Sequence, residues 1–237
     1  MANSNQKSGL DFLKSWGAGL TNWTERYIPD ALVIVWILSV IAFILALIWG
    51  DVGPVKAVQA WGKGFWVLLQ FAMQMCLIMM TGYILACSGP VRALLNGISG
   101  WANKEKPWQA IMIMALFSML IAWINWGLSL IGSAMLALYI VRNNPKVDYR
   151  LLVASAYLGL GCTWHSGLSA SAPLLVNTPG NFLIKEGYLP GTISTTETIY
   201  SGFNLILALI IVVVVTVLMS LMHPSVEKSF KVSPDLM

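Results

Sequence analysis

QAIMIMALFSMLIAWINWGLSLIGSAMLALYIV, residues 109–141, is a long apolar stretch with a polar break at its centre, Asn125-Trp126-Gly127. The next apolar stretch, Leu151–Val176, is broken as well, at Gly161-Cys162-Thr163-Trp164-His165-Ser166-Gly167. Irregular backbone at membrane depth is tolerated only where it is buried in protein or lines a cavity. Paired interrupted segments of this kind mark the binding region of secondary transporters. The breaks therefore set both the class of the protein and the place where its site is expected.

Composition agrees with a membrane protein. The chain is 57% hydrophobic and only 10% charged, with a mean hydropathy of +0.74. Soluble domains carry roughly 25% charged residues. Segments 31–50, 64–87 and 200–222 reach the length of about 20 residues that a helical span needs, and 151–176 is a further span with its break inside. All ten acidic residues lie outside these runs. The net charge of +4 resides in loops and termini rather than on one face, so it is a topology signal and no nucleic-acid partner is expected. Cys76, Cys87 and Cys162 lack metal-ligand spacing and read as buried free thiols.

The first 30 residues have no continuous apolar core and carry Asp11, Glu25 and Asp30, so no cleavable signal peptide is expected there. Leu13, Trp16, Leu20, Trp23 and Tyr27 recur at helical spacing, the pattern of a helix lying in the membrane interface. Residues 1–30 thus read as a cytoplasmic arm with an interfacial helix, 31–223 as the membrane domain and 224–237 as a cytoplasmic tail.

The basic residues choose the topology. If 109–141 enters and leaves on one side as a re-entrant hairpin, only Lys56, Lys63 and Lys185 of the fourteen Lys and Arg lie outside. A single crossing would move Arg142, Lys146, Arg150, Lys228 and Lys231 out and Lys185 in, which divides the charges evenly. The positive-inside bias favours the hairpin. Two full crossings keep the bias, but the arms Gln109–Ile124 and Leu128–Val141 each fall short of about 20 residues. Trp49, Trp61, Trp66, Trp101 and Trp108 sit at the membrane edges where indoles are favoured. Trp123, Trp126 and Trp164 instead flank the breaks, where a buried indole N–H needs an acceptor.

At the first break Asn125 offers a donor and an acceptor, and Gly127 permits close backbone approach. Ser129 and Ser133 follow on the outgoing arm. At the second, Thr163, His165, Ser166, Ser169 and Ser171 crowd together. Half-helix N-termini at the breaks attract an anion, and half-helix carbonyls can hold a cation. The competing reading is packing, because small and hydroxylated residues also let membrane helices approach. His165 is the only His, Asp, Glu, Lys or Arg inside a span, which makes it a functional candidate. A nucleophile–base pair built from His165 with Ser166 or Cys162 lacks an acidic residue in the spans to orient it. No enzyme is expected. No pore stripe runs along a continuous helix, which disfavours a channel, and a purely structural membrane subunit is the remaining alternative.

WGKGFWVLLQFAMQM (61–75), INWG (124–127), YLGLGCTWHSGLSASAPLLVNTPGN (157–181) and SGFN (201–204) resemble the short-chain fatty acid transporter family, the acetoacetate and butyrate type. The resemblance runs from about residue 27 to 224. It implies an all-α polytopic membrane protein, one inverted-repeat half with a re-entrant hairpin and a broken transmembrane helix, in the cell inner membrane. Asn125 is similar in position to the Ser-Asn-Thr hairpin tip of the wider superfamily of ion-coupled anion carriers. Thr178-Pro179-Gly180-Asn181 is similar to its Thr-Pro-Pro-Asn segment. By that resemblance Asn125, Trp126, Gly127, Thr163, His165, Ser166, Ser169, Ser171, Asn177, Thr178 and Asn181 are the substrate-binding candidates. A candidate sodium site lies near Asn125, Gly161 and Thr178, with no other cofactor. Trp126 and Gly127 stand where dicarboxylate carriers have Thr, so the implied cavity is narrower, more apolar and suited to a short monocarboxylate. The runner-up is a sodium-coupled carrier of other organic anions. The family carries a second, inverted half, whereas this sequence runs through one. A second transporter half, or self-association, is the expected partner beside the membrane lipid, because uncovered polar groups at the breaks would face lipid at a cost of several kcal/mol each.

Overall fold

The computed structural model describes residues 5–50, 53–67 and 69–232, and every regular element among them is helical. The all-α membrane fold expected from the sequence is thereby established. Two compact units, Met1–Ile78 and Met79–Met237, divide the chain.

The first unit begins with α1 (Asn5–Tyr27) and α2 (Ala31–Trp49). Along α1, Trp16, Leu20, Trp23 and Tyr27 form an exposed stripe; the side chain of Leu13 lies outside the described residues. Asp30 caps α2 by accepting the Leu32 N–H at 2.8 Å. No residue of α2 is buried, and its mean hydropathy is 3.2. A helix that is apolar on every face and packed on none is suited to lipid. Helices α3 (Pro54–Val67) and α4 (Leu69–Ala86) follow.

The segment expected as one span over 64–87 holds the end of α3 and all of α4. Helix α4 ends at Ala86, and α5 (Gly89–Ser99) leaves at 74° to it, so the pair forms a bent apolar unit. Pro90 sits in the first turn of α5, where its missing N–H costs nothing. Arg92, which the sequence places in a loop, is therefore helical. The cysteines are free but none is fully buried: Cys76 is exposed, and Cys87 and Cys162 are half-buried. A thiol behaves as a small hydrophobe and is at home on a lipid-facing surface.

The second unit is organised around α6 (Trp108–Ile124) and α7 (Trp126–Asn143), which meet at Asn125. The arms have 17 and 18 residues, longer than their apolar cores suggest. They run antiparallel, with Ser129 Oγ donating to the Ser118 carbonyl at 2.7 Å and Gly132 facing the ring of Phe117. Ala110, Ile111, Met114, Ala115, Ser118, Met119 and Ala122 of α6 are buried, which makes α6 the central helix. Its alanines and serine let neighbouring backbones come close.

Helix α8 (Tyr149–Leu158) packs on α6 and opens into a π-helical turn, Gly159–Thr163, then a 3-10 turn, Trp164–Ser166. Rather than unwinding at Gly161 and resuming at Leu168, the chain first widens, then tightens, and resumes at α9 (Ser171–Asn177). Single π turns inside helices recur at functional sites. Beyond α9 the chain makes a one-turn helix, α10 (Phe182–Lys185). The last helix, α11 (Gly202–Leu221), lies within the segment 200–222 and is long and apolar enough to cross a membrane; it packs against α6.

The feet of the hairpin lie together. Lys146 Nζ pairs with Glu105 at 2.8 Å, with side chains 42% and 77% exposed; an exposed pair of this kind contributes below about 1 kcal/mol. Asp148 caps α8 by accepting the Leu151 N–H at 2.9 Å, and its second oxygen accepts the Phe230 N–H at 2.7 Å. Tyr149 N–H returns a bond to the Phe230 carbonyl at 2.9 Å. His223, at the end of the last span, is buried; its Nε2 accepts the Asp148 N–H at 3.1 Å while Nδ1 faces the Pro224 carbonyl at 2.6 Å. The polar tail is thus strapped to the start of the broken helix. Asp148→Ala removes a cap and one anchor of the strap and is expected to lower stability by about 2 kcal/mol. Asp148→Asn keeps one acceptor, enough for the cap, but sets an NH2 against the second donor, the Phe230 N–H, so it should recover only part of that loss in detergent unfolding. Cysteines introduced at Lys104 and Lys146, in a background without native cysteines, should react with an impermeant thiol reagent from one face of the membrane, the cytoplasmic one. Reaction from opposite faces would sink the hairpin.

Candidate functional site

The tip of the hairpin docks directly on the second break. Leu168 N–H donates to the Trp123 carbonyl at 2.7 Å, and Trp126 N–H donates to Ser169 Oγ at 3.0 Å. Trp164 Nε1–H donates to the Ser169 carbonyl at 2.9 Å, which gives this indole the acceptor that its position calls for. The rings of Trp126 and Trp164 are 6.0 Å apart, and His165 stacks on Trp164 at 4.1 Å. Two glycines make the approach possible. A Cβ on Gly167 would fall on the carbonyl of Trp123, and one on Gly159 would meet the Ser118 carbonyl and lie 2.6 Å from Ser129 Oγ.

The hydroxyls divide into two groups. Thr163 is buried, and its Oγ1 donates to the Met119 carbonyl at 2.8 Å, with the Gly159 carbonyl at 3.2 Å. Ser129 and Ser118 are likewise committed, the latter donating to the Ser155 carbonyl at 2.8 Å. These residues hold the π turn against α6. Ser133 is buried in α7 with its hydroxyl unpartnered. Ser166 Oγ donates to the Thr163 carbonyl at 2.8 Å. Ser169, by contrast, only accepts in its bond from Trp126, which leaves its hydroxyl proton for another acceptor.

Asn125 is exposed and serves as the cap of α7, its Oδ1 accepting the Leu128 N–H at 3.0 Å. The NH2 end of the carboxamide is not needed by that cap. Gly127 is buried behind it. His165 and Gly161 are exposed at the break. Ser171 and Asn177 are exposed on α9. Thr178 is exposed and bonds within its own turn, Oγ1 to the Leu174 carbonyl at 2.8 Å. Asn181 is buried and organises that turn, its Oδ1 accepting from Leu183 and Ile184 and its Nδ2 donating to the Thr178 carbonyl. Gly180 adopts φ +67° there, a conformation that glycine takes without penalty. The fold therefore brings Trp126, between Asn125 and Gly127, to Ser169. It gives Thr163 and Asn181 internal bonds of their own.

Asn204, in the SGFN segment, joins the break although its place in the sequence does not mark it as a site residue. Its Nδ2 donates to the Ser166 carbonyl at 3.0 Å and to the Ile199 carbonyl at 2.7 Å. The signal was a polar residue in the first turn of an otherwise apolar span. With these bonds counted, many of the polar groups at the breaks find partners within the chain, which lowers the cost of leaving the breaks uncovered in lipid.

A sequence profile described as "Short chain fatty acid transporter" matches residues 12–237. The chain belongs to this family. It is 37% identical over 218 residues to a protein of Escherichia coli (strain K12) named "Putative short-chain fatty acid transporter", a match that covers 92% of this chain and 48% of that one. It is 36% identical over 223 residues to a protein of the same name from Haemophilus influenzae, covering 92% and 49% respectively. The chain thus spans about half the length of the curated relatives it matches. No solved structure matches it. Membership makes this a membrane protein of a transport family rather than an enzyme.

Proposed function

We propose that the chain is the N-terminal half of an inner-membrane secondary transporter that carries a short-chain monocarboxylate in symport with sodium. The observation that carries this reading is the docking of the hairpin tip on the second break through Trp126 N–H and Ser169 Oγ at 3.0 Å. The carboxylate takes the amide protons of Asn125 and the hydroxyl proton of Ser169, in the positive field at the N-terminus of α7. Trp126 and Trp164, 6.0 Å apart, offer apolar walls to a short aliphatic tail. The names of the curated relatives support the substrate class. Sodium enters as a co-substrate. Gly161 and Asn125, both exposed, remain open to it, whereas the carbonyls of Trp123, Ser166 and Ser169 already accept protein donors.

The test uses the complete transporter, this chain together with its second half, reconstituted into vesicles. Radiolabelled butyrate or acetoacetate should accumulate saturably under an inward sodium gradient. His165→Gln should retain that uptake, because no proton needs to pass through the side chain. Uptake driven by a proton gradient alone, and lost in His165→Gln with substrate binding intact, would make His165 the proton carrier and overturn sodium coupling. Accumulation of other organic anions in place of butyrate would favour the broader anion carrier.

A further inference from the structure

The break is held on three sides. Thr163 Oγ1 to Met119 and Leu168 N–H to Trp123 tie it to α6. Trp126 N–H to Ser169 Oγ ties it to the hairpin tip. The tie from α11 is Asn204, whose side chain reaches the Ser166 carbonyl at 3.0 Å across 38 residues of chain. The same amide group donates its second proton to the Ile199 carbonyl at 2.7 Å. Ile199 is buried, and Ser201 closes the turn around it by donating to the Thr198 carbonyl at 2.8 Å and accepting the Asn204 N–H at 3.3 Å. Asn204 is therefore itself held by a compact capping turn. It cannot follow Ser166 without breaking one of two bonds.

We infer that Asn204 is a positioning residue for the substrate site: by holding the Ser166 carbonyl it sets the place of the 3-10 turn Trp164–Ser166, and through it of Ser169 and Trp164 at the hairpin tip. This inference rests on the transport reading for its effect on uptake, but not for its effect on the break. Carboxamide chemistry is specific here. Two carbonyls are satisfied by two N–H groups on one nitrogen, which Asp cannot supply; a carboxylate in that place meets two acceptors and is repelled.

The experiment compares wild type, Asn204→Asp and Asn204→Ala in the complete transporter, with Cys76 and Cys87 replaced by serine so that Cys162 reports on the break. The reaction rate of Cys162 with a small maleimide should rise about tenfold in both variants, as expected for freeing a segment held by one or two hydrogen bonds. Uptake of butyrate, normalised to folded protein in the membrane, should show a KM raised about tenfold at a smaller loss of maximal rate. A role confined to folding would lower the amount of protein and the maximal rate together and leave KM unchanged. Unchanged Cys162 reactivity in the variants, or an unchanged KM in the variants where the wild type transports, overturns the inference. Wild type that transports no short-chain acid, with Cys162 reactivity still raised in the variants, would overturn the transport reading while leaving Asn204 as the holder of the break.

Discussion

Gly167→Ala is expected to destabilise the protein by about 3 kcal/mol or more, at the upper end for overpacking against backbone. Its effect is steric rather than conformational. Gly167 lies at φ −112°, ψ −171°, extended backbone that any residue adopts, but a Cβ there would occupy the position of the Trp123 carbonyl, with the Trp123 carbonyl carbon and Cα both at 2.6 Å. No flexible side chain can give way. The bond from Leu168 N–H to that carbonyl at 2.7 Å would be lost as the segments part. Gly159→Ala should behave alike, since its Cβ meets the Ser118 carbonyl and Ser129 Oγ. Gly161 lies between them with nothing within 4 Å of a Cβ, so Gly161→Ala should leave stability unchanged or raise it by up to about 1 kcal/mol. Thermal unfolding in detergent, followed by the fluorescence of the tryptophans around the tip, separates the three. Equal stability of Gly167→Ala and Gly161→Ala would show that the break does not sit on α6. A loss of sodium-driven uptake in Gly161→Ala without a loss of stability would place the cation beside it.

Residues 1–237 reconstituted by themselves are expected to give no saturable uptake of butyrate or acetoacetate, while the complete transporter does. In the inverted-repeat plan the substrate site forms between two repeats. This chain supplies one hairpin tip and one break, and it covers 48% and 49% of the two relatives it matches. The internal pairing of Trp126, Leu168, Ser166 and Ser169 means that the isolated piece can hold its fold without transporting. A folded, inactive half is the expected result. Saturable uptake by a demonstrated monomer would show that one half is a complete site.

The amino-acid sequence by itself determined the membrane class, the last span and the location of both breaks. Asn125-Trp126-Gly127 inside an apolar run can only be a polar interruption, and lipid leaves no other solvent to hide it in. The antiparallel arms were legible through the Lys and Arg at their feet. Tertiary structure alone decided which polar groups remain open. Thr163, Ser166 and Ser169 stand close together in the sequence, yet one is buried under Met119, one donates to Thr163 itself and one meets the hairpin tip. A hydroxyl can serve any nearby carbonyl, so its spacing along the chain does not name its partner. The π turn at Gly159 was hidden for a related reason. It is set by what packs against it, the Ser118 carbonyl against Gly159, which a local pattern of apolar residues does not contain. Asn204 shows the same limit, since its meaning lies 38 residues away at Ser166.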